Sequence, residues 1–430
     1  MYRKIKDIPV FFNDLSGYDG HIIFQNLTSV KCKEPKVIAK SMEKFISFSI
    51  GKLQFKDSAQ FVLSSLDKLV SNLQKKAVKD NNTQEIFRNT WEYFARKKLP
   101  EEAFALLTRK GVYSYRYMNG WDKMKETTLP PKEEYYNDLV QRHISDEDYQ
   151  RAKEIWNTFG IETMGELQNL YMDTDVVLLT DIFKDFREFS LKNYGLDPAH
   201  FSTAPALSWS EAMKLTKVEL ELPDDPNITL FVDRGLAGGI YMISNQFAKA
   251  NNPALGEKFD PQEKQSFIML VDCNNQYGWA MSQYLPTGGF EWVTDAPAVI
   301  YLEDEAEDGY IFEVDLEYPK ELHDLHDTYP LVPEHLDIQV DMLSPYQRDL
   351  GVKAGGKKLC LTLNDNRQYI CHYRTSKQYL ELVLKLKKVH RVLKFRQSAW
   401  LKPYIELNTS LRQRASSKFE EDLFSISQSL

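Results

Sequence analysis

The long apolar-periodic stretch between residues 163 and 195, TMGELQNLYMDTDVVLLTDIFKDFREFSLKNYG, constrains the fold more than any other part of the sequence. Its apolar residues recur at helical spacing, so the stretch predicts one long helix that ends at Gly195. Asp175 lies inside the most apolar part of this helix. Because burial of an unpaired carboxylate is costly, we expect a metal ion or an ion pair beside it.

A second carboxylate, Asp19, follows a predicted strand near the start of the chain. Residues 8–12 (IPVFF) form a short apolar run, NDLSG is typical of a turn, and an apolar-periodic stretch continues to Leu27. The simplest interpretation is that Asp19 caps the helix that begins there. The alternative is that Asp19 contributes to a site at this junction between strand and helix.

A third carboxylate, Asp272, follows the apolar run FIMLV, which predicts a buried strand. A charge at that point is either capped by backbone amides or holds a cation at the carboxyl end of the strand. Divalent cations prefer oxygen ligands, and phosphoryl chemistry often uses two of them about 3.5–4 Å apart. The sequence alone leaves open whether the three carboxylates converge.

The pattern along the rest of the chain predicts an α/β protein, and 430 residues favour two or three domains. The expected elements are a strand pair around Gly51 within 45–58, helices over 59–78 and 145–160, a loop feeding a strand at 232–245, a strand at 309–319, a hairpin over 358–374 and an amphipathic helix over 376–395.

Composition excludes several classes of protein. With 43% hydrophobic and 27% charged residues the chain is typical of globular proteins. No apolar run approaches the roughly 20 residues that span a bilayer, and the basic N-terminus lacks the features of a signal peptide. The four scattered cysteines form no CxxC pair and suit a reducing compartment, so we expect an intracellular protein of the nucleus or cytoplasm.

Charge is distributed unevenly around a net value of −8, which argues against a protein that coats nucleic acid indiscriminately. Residues 303–341 are acidic, whereas basic residues concentrate between 385 and 414, among them Lys388 and Arg391. This basic run is either the solvated face of the predicted helix or a surface that follows a phosphate backbone. Trp400 and Tyr404 come after it and would offer faces for base stacking.

The order and surroundings of these stretches resemble the protein-primed family B DNA polymerases of Maverick/Polinton transposons, viruses and linear plasmids. LSGYDGHIIFQNL is similar to the second exonuclease motif of that family, N-x3-Y-D, with Tyr18 and Asp19 in the matching positions and Asp14 in place of the Asn. YMDTDVVLL resembles the third motif, Y-x3-D, through Tyr171 and Asp175. The resemblance implies that Asp19 and Asp175 hold metal ions and that Tyr171 orients the attacking water.

Two further segments of the resemblance concern DNA binding. SSLDKL is similar to the single-strand-binding motif S-L-x2-hydrophobic, at Ser65 and Leu66. GLAGGIYMISN is similar to the Gly-Gly segment between exonuclease and polymerase domains, at Gly238 and Gly239. The resemblance implies DNA contacts at these four residues, although a glycine pair alone is equally typical of a turn.

The segment DCNNQYGWAMSQ resembles polymerase motif A, D-x-N-N-L-Y-G-W-A-M-S-Q, with Gln276 in place of the Leu. The resemblance implies that Asp272 is a catalytic metal ligand and that Asn275 and Tyr277 bind the incoming nucleotide. The ring of Tyr277 would pack under the sugar and exclude a ribose hydroxyl.

The implied fold is a ribonuclease-H-like 3′–5′ exonuclease domain over residues 1–200, followed over 201–430 by part of a family B palm with an insert. The implied cofactor is Mg²⁺ or Mn²⁺, and the implied partners are DNA, deoxynucleoside triphosphates and a terminal protein whose hydroxyl primes synthesis, with no membrane. The implied activity is DNA-directed DNA polymerisation in the replication of a mobile or viral element.

Three family motifs have no counterpart in the expected places. No D-x-E precedes residue 14, and neither K-x3-N-S-x-Y-G nor D-T-D follows motif A. Both two-metal sites are therefore incomplete, and we expect an inactive fragment, truncated at both ends. The alternatives are a non-catalytic DNA-binding remnant and an unproductive gene-model fragment.

Overall fold

The computed structural model describes residues 7–27, 34–41, 44–62, 64–97, 103–138, 141–238, 240–241, 243, 247–295, 298–415, 418 and 420–421. The chain divides into two compact units. The first unit consists of residues 1–216 and 404–430, and the second consists of residues 217–403.

The first unit contains a mixed four-stranded sheet. Its strands are β1 (Ile8–Phe12), β2 (Lys36–Ala39), β3 (Phe45–Ile50) and β4 (Leu53–Asp57). They lie in the order β1-β4-β3-β2, with β1 parallel to β4 and the other two pairings antiparallel. The pairing of β3 with β4 confirms the strand pair predicted around Gly51, whose φ of 63° suits the turn.

Helices make up most of the rest of the first unit. They are α1 (Gly20–Asn26), α2 (Leu66–Lys79), α3 (Thr83–Ile86), α4 (Arg88–Arg96), α5 (Phe104–Leu107), α6 (Asp146–Thr158), α7 (Met164–Tyr194) and α8 (Ala204–Thr216). The two-residue strands β5 (Tyr136–Asn137) and β6 (Arg142–His143) pair with each other. α6 and α7 confirm the predicted helices, whereas α2 begins at Leu66 rather than at 59 because residues 58–60 form a separate 3₁₀ turn.

The main core of the first unit lies where α2 and α7 pack together. Leu73 from α2 and Leu178 and Phe186 from α7 are fully or almost fully buried there. Phe11 from β1 packs against Phe183, with ring centroids 4.0 Å apart. Because truncating such a side chain to Ala typically costs about 2–5 kcal/mol, this core fixes α7 beside β1.

The second unit contains two sheets. Its strands are β7 (Leu285–Val293), β8 (Asp308–Glu317), β9 (Val332–Asp337), β10 (Lys357–Thr362), β11 (Asn366–His372) and β12 (Lys385–Ser398). Four of them form an antiparallel sheet in the order β11-β8-β12-β7, and β9 pairs with β10. The helices are α9 (Pro226–Arg234), α10 (Gln276–Met281), α11 (His323–His326), α12 (Pro345–Asp349) and α13 (Tyr373–Glu381).

The last helix, α14 (Lys402–Gln413), lies largely in the first unit. Tyr404 is fully buried and donates its hydroxyl to Glu211 Oε2 at 3.1 Å. The hydroxyl of Tyr194 also donates to the Asn408 side chain. The expectation that Tyr404 offers a face for base stacking is therefore wrong.

The predicted basic helix over 376–395 is also wrong beyond residue 381. The helix ends at Glu381, and the basic residues from Lys385 onward form β12, between β7 and β8. Leu386, Val389 and Leu393 fit helical spacing, but pairing with two neighbouring strands decides the conformation because it satisfies both edges of the backbone.

Two other predicted elements differ. The expected hairpin over 358–374 is wrong, because β10 pairs with β9 whereas β11 pairs with β8. Residues 232–234 end α9, and the described residues between 235 and 243 form no strand. The strand at 309–319 is confirmed as β8.

Candidate functional site

An open cleft of about 1040 Å³ in the first unit is lined by three of the predicted site residues, Asp19, Tyr171 and Asp175. Leu66, from the predicted single-strand-binding motif, lines the same cleft. These residues come from the turn after β1, from the start of α2 and from α7. The fold thus brings together residues that lie far apart in the sequence.

Asp19 ends a wide helical turn, Leu15–Asp19, that runs directly into α1. Its side chain makes no capping hydrogen bond to this helix within the described residues, so the simple capping interpretation is wrong. Burial raises the pKa of Asp19, and the nearby charges of Asp14 and Asp57 raise it further. A cation at this carboxylate would offset both effects.

Asp175 is largely buried within α7. Its Oδ1 atom accepts no hydrogen bond from any described residue, and its Oδ2 atom lies 4.0 Å from Lys110 Nζ. Burial raises the pKa of Asp175, while the charge of Lys110 and a hydrogen bond from Tyr171 act in the opposite direction. A buried carboxylate oxygen without a donor is an acceptor that a cation would satisfy.

Tyr171 lies one helical turn before Asp175 in α7. Its hydroxyl shares a hydrogen bond with the hydroxyl of Tyr115, and its ring stacks on Tyr113 at a centroid distance of 5.0 Å. Burial and the charge of Asp175 raise the pKa of Tyr171, which keeps the phenol protonated. The phenol is therefore able to donate a hydrogen bond into the cleft.

Two residues that line the cleft, Lys110 and Tyr115, are not predicted by the sequence motifs. Residues 80–135 gave only a polar pattern with helical pieces, and neither residue lies in a regular element. Lys110 supplies a positive charge beside Asp175, and Tyr115 an aromatic face beside Tyr171. No periodicity or spacing pointed to either of them.

The cleft supplies two carboxylates for a divalent cation but no third acidic, His or Cys ligand among the described residues. Within the described residues, no three His, Cys, Asp or Glu side chains group so that they could hold a metal ion. Mg²⁺ is, however, commonly held by one or two carboxylates with waters and substrate phosphates. Asp19 and Asp175 supply such a pair in one cleft.

Ser65 and Leu66 have clear structural roles at the start of α2. Ser65 is the N-cap, and its hydroxyl accepts from the backbone N–H of Lys68 at 3.4 Å. Leu66 is buried in the main core while it also reaches the cleft. DNA contact at these two residues stays a prediction.

The motif A segment lies in the second unit and differs from its predicted form. Residues 267–271 belong to no strand of the described structure, and their exposed fractions range from 65% to 99%. Asp272 is exposed as well, and the prediction of a buried strand before it is wrong. The segment ends in the short helix α10, which Asn275 precedes with a φ of 53°, and Tyr277 is 85% exposed.

A family model described as DNA polymerase type B, organellar and viral, matches residues 1–426. The chain belongs to this family. The match includes the cleft of the first unit and the motif A segment of the second, which confirms the family that the sequence motifs resemble.

Solved structures of phi29 DNA polymerase are similar to this chain in fold. The complex with primer-template DNA and incoming nucleotide gives a TM-score of 0.50 with 14% sequence identity, covering 98% of this chain and 58% of that chain. The orthorhombic crystal form gives a TM-score of 0.48 and 12% identity, with coverage of 98% and 58%. This chain thus spans a little under three fifths of the length of those polymerase chains. No curated protein matches it.

Of the predicted glycine pair, the structure describes Gly238. A Cβ built on Gly238 would meet open space among the described residues, so no close contact requires a glycine there. Gly239 lies outside the described residues. Among those residues, furthermore, no helix is long and apolar enough to cross a bilayer.

The basic strand β12 is largely paired with acidic residues. Arg391 makes an ion pair with the buried Glu313 at 2.7 Å, and its guanidinium lies over the rings of Phe231 and Trp292. Other ion pairs on β12 join Lys385 and Lys387 to Glu317, Lys394 to Glu291 and Asp308, and Arg396 to Glu221.

The acidic stretch therefore folds directly beside the basic one, because β8 and β12 are neighbours. Lys388 is exposed and lies opposite Asp315 in the register of the two strands. A continuous basic helix for a phosphate backbone, as the sequence suggested around Lys388 and Arg391, does not form. DNA contact by the exposed Lys388 stays a prediction.

Proposed function

We propose that this chain derives from a DNA-directed DNA polymerase of the protein-primed type that replicates a mobile or viral element, and that these 430 residues alone are inactive. The observation that carries the proposal is the family match over residues 1–426. The phi29 polymerase structure of similar fold holds primer-template DNA and an incoming nucleotide, which supports DNA and deoxynucleoside triphosphates as ligands.

We assign a 3′–5′ exonuclease-type site to the cleft of the first unit. Asp19 and Asp175 would hold the divalent cation, Mg²⁺ or Mn²⁺, and the protonated Tyr171 would orient a water by hydrogen bonding. Lys110 would attract the phosphate of a DNA 3′ end, and Tyr115 offers an aromatic face to a base. When bound, the cation supplies Lewis-acid stabilisation of the phosphoryl oxygens.

In the second unit, Asp272 would be the metal ligand of the polymerase site, with Asn275 and Tyr277 facing the nucleotide. The exposure of Asp272 and Tyr277 leaves both side chains open to ligands. An insert within residues 201–430 would contact the terminal protein primer, as the family resemblance implies.

These 430 residues alone should not extend a primer. Motif A supplies Asp272, but no D-T-D follows it to supply a second carboxylate, and one carboxylate cannot hold two metal ions in place. The assay is template-dependent incorporation of labelled nucleotide with Mg²⁺ or Mn²⁺. Incorporation that disappears in Asp272→Ala would show that the chain is active.

The exonuclease-type site is tested by binding as well as turnover, because we expect turnover to be weak or absent without a D-x-E pair. Mn²⁺ binding followed by electron paramagnetic resonance should be lost in Asp175→Asn. Asp173→Asn is the matched control, since Asp173 lies on the same helix, pairs with Lys97 and does not line the cleft. Equal binding by both variants would exclude a cation site at Asp175.

The rival proposal, a non-catalytic DNA-binding remnant, predicts binding of single-stranded DNA that is independent of Asp19 and Asp175. The ion pairs along β12 weaken it, because they neutralise most of the basic residues on which it depended. Titrations of labelled single-stranded DNA into the unsubstituted chain and into Asp175→Asn separate the two proposals. The remnant should bind equally well in both, with the steep dependence on salt that phosphate contacts give. An unproductive gene-model fragment would bind neither Mn²⁺ nor DNA.

A further inference from the structure

Asp57 ends β4 and is buried, with 1% of its surface exposed. Its carboxylate accepts three backbone N–H groups. Oδ1 accepts from Asp14 and from Ala59, both at 3.0 Å, and Oδ2 accepts from Ser16 at 3.1 Å. Two of the three donors therefore lie at the start of the wide helical turn that leads into Asp19: Asp14 directly precedes the turn, and Ser16 is its second residue.

The amides at the start of a helical segment have no acceptor within the segment. In this turn the Asp57 carboxylate takes that place for Asp14 and Ser16, and its negative charge lies at the favourable, N-terminal end of the helical run. The later amides of the turn, from Gly17 and Tyr18, are satisfied by the carbonyl of Asp14.

The turn needs such support because its backbone is unusual. Asp14 has a φ of 66° and a ψ of 36°, in the left-handed region that glycine adopts routinely and Asp or Asn only occasionally. Leu15 is fully buried beside Phe45 and Phe48, which fixes the turn from the core side. Asp57 fixes it from the side of the sheet.

We propose that Asp57 is a positioning residue for Asp19. Its carboxylate fixes the backbone of residues 14–16 and thereby sets where the Asp19 carboxylate enters the cleft. Asp57 does not itself line the cleft, so it acts through the turn rather than as a ligand. This role rests on the proposed cation site at Asp19 and Asp175.

The variant Asp57→Asn tests this role, because Asn keeps the volume but has one acceptor oxygen and places an NH₂ group where the second oxygen was. The matched control is Asp181→Asn. Asp181 is equally buried and also accepts backbone N–H groups, from Asn89 and Thr90, at the start of α4. Both substitutions should lower the melting temperature, so stability alone does not distinguish them.

Two measurements on the full chain distinguish them. In Asp57→Asn, hydrogen–deuterium exchange of a peptide spanning residues 11–20 should accelerate, and Mn²⁺ affinity followed by electron paramagnetic resonance should fall about tenfold. In Asp181→Asn, exchange in that peptide and Mn²⁺ affinity should both stay unchanged.

Unchanged Mn²⁺ affinity in Asp57→Asn would overturn the positioning role alone, whatever happens to exchange or stability. If Asp19→Ala binds Mn²⁺ as tightly as the unsubstituted chain does, the proposed cation site and this role are both overturned.

Discussion

The guanidinium of Arg391 lies 2.7 Å from the buried carboxylate of Glu313. The arginine is half exposed, and its guanidinium lies over the rings of Phe231 and Trp292. Its charge therefore pairs with Glu313 while its side chain covers apolar rings of the second unit. The Arg391 guanidinium holds the pKa of Glu313 below its usual range. A residue that the sequence offered as a DNA contact thus has a partner within the fold.

Arg391→Ala should lower the free energy of unfolding by about 2 kcal/mol, because it leaves the buried Glu313 carboxylate without its partner. Urea denaturation measures this change. Lys388→Ala, on the same strand but exposed, is the control and should change stability by less than about 0.5 kcal/mol. If Arg391→Ala leaves the free energy of unfolding unchanged while Lys388→Ala lowers it, the ion pair with Glu313 does not stabilise the fold and Arg391 is available to contact DNA.

Glu211 should make the stability of the first unit depend on pH. Burial raises its pKa to about 7 from 4.5, although Ser190 and Tyr404 donate hydrogen bonds to it. The folded state therefore holds the proton more tightly than the unfolded state, and stability falls as pH rises from about 4.5 to about 7.

Glu211→Gln should remove this loss, which is on the order of 3 kcal/mol at most. The measurement is the melting temperature between pH 4.5 and 8, with Glu188→Gln as an exposed control on α7. A profile for Glu211→Gln that parallels that of the unsubstituted chain would contradict the prediction.

Leu270 should tolerate truncation despite its place in an apolar run. Its side chain is 99% exposed, so Leu270→Ala should change the free energy of unfolding by less than about 0.5 kcal/mol. Leu393→Ala is the matched comparison, because Leu393 is fully buried in β12, and it should cost about 2–5 kcal/mol. Similar losses for both variants in urea denaturation would mean that Leu270 is buried in the folded chain.

Lys110→Met should affect cation and DNA binding in opposite directions. The substitution keeps the apolar stem but removes a positive charge 4.0 Å from Asp175 Oδ2. Since that charge repels a cation and attracts phosphate, Mn²⁺ binding should tighten and single-stranded DNA binding should weaken, each roughly threefold to tenfold.

Lys184→Met is the control for Lys110→Met, since Lys184 also lines the cleft but pairs with Glu188 at 3.6 Å. Changes of the same sign for Mn²⁺ and DNA in Lys110→Met would argue for general damage to the cleft rather than a local charge effect.

Local patterns predicted the first unit better than the second. The extent of α7 follows from helical periodicity and from Thr163 and Gly195 at its two ends, and the structure agrees to within a residue. Convergence of Asp19 and Asp175 did not follow from spacing, since it depends on packing between α7 and β1. Lys110 and Tyr115 lie in irregular backbone, where periodicity carries no information.

The errors in the second unit share a physical cause. Residues 385–395 satisfy helical spacing, and only the presence of β7 and β8 on either side makes them a strand. Conversely, residues 267–271 have the composition of a buried strand, yet no described strand pairs with them. In both cases partners distant in sequence decide the outcome, and local pattern does not reveal them.

The return of α14 to the first unit has a consequence for synthesis on the ribosome. Tyr404 bonds to Glu211, and Asn408 bonds to Tyr194. Glu211 and Tyr194 leave the ribosome before the second unit, residues 217–403, whereas Tyr404 and Asn408 leave it after that unit. At 5–20 residues per second, the first unit waits on the order of ten seconds or more before its last helix is available. During that interval Glu211 lacks the donor that Tyr404 provides, so the first unit completes these buried hydrogen bonds only after residue 413 has left the exit tunnel.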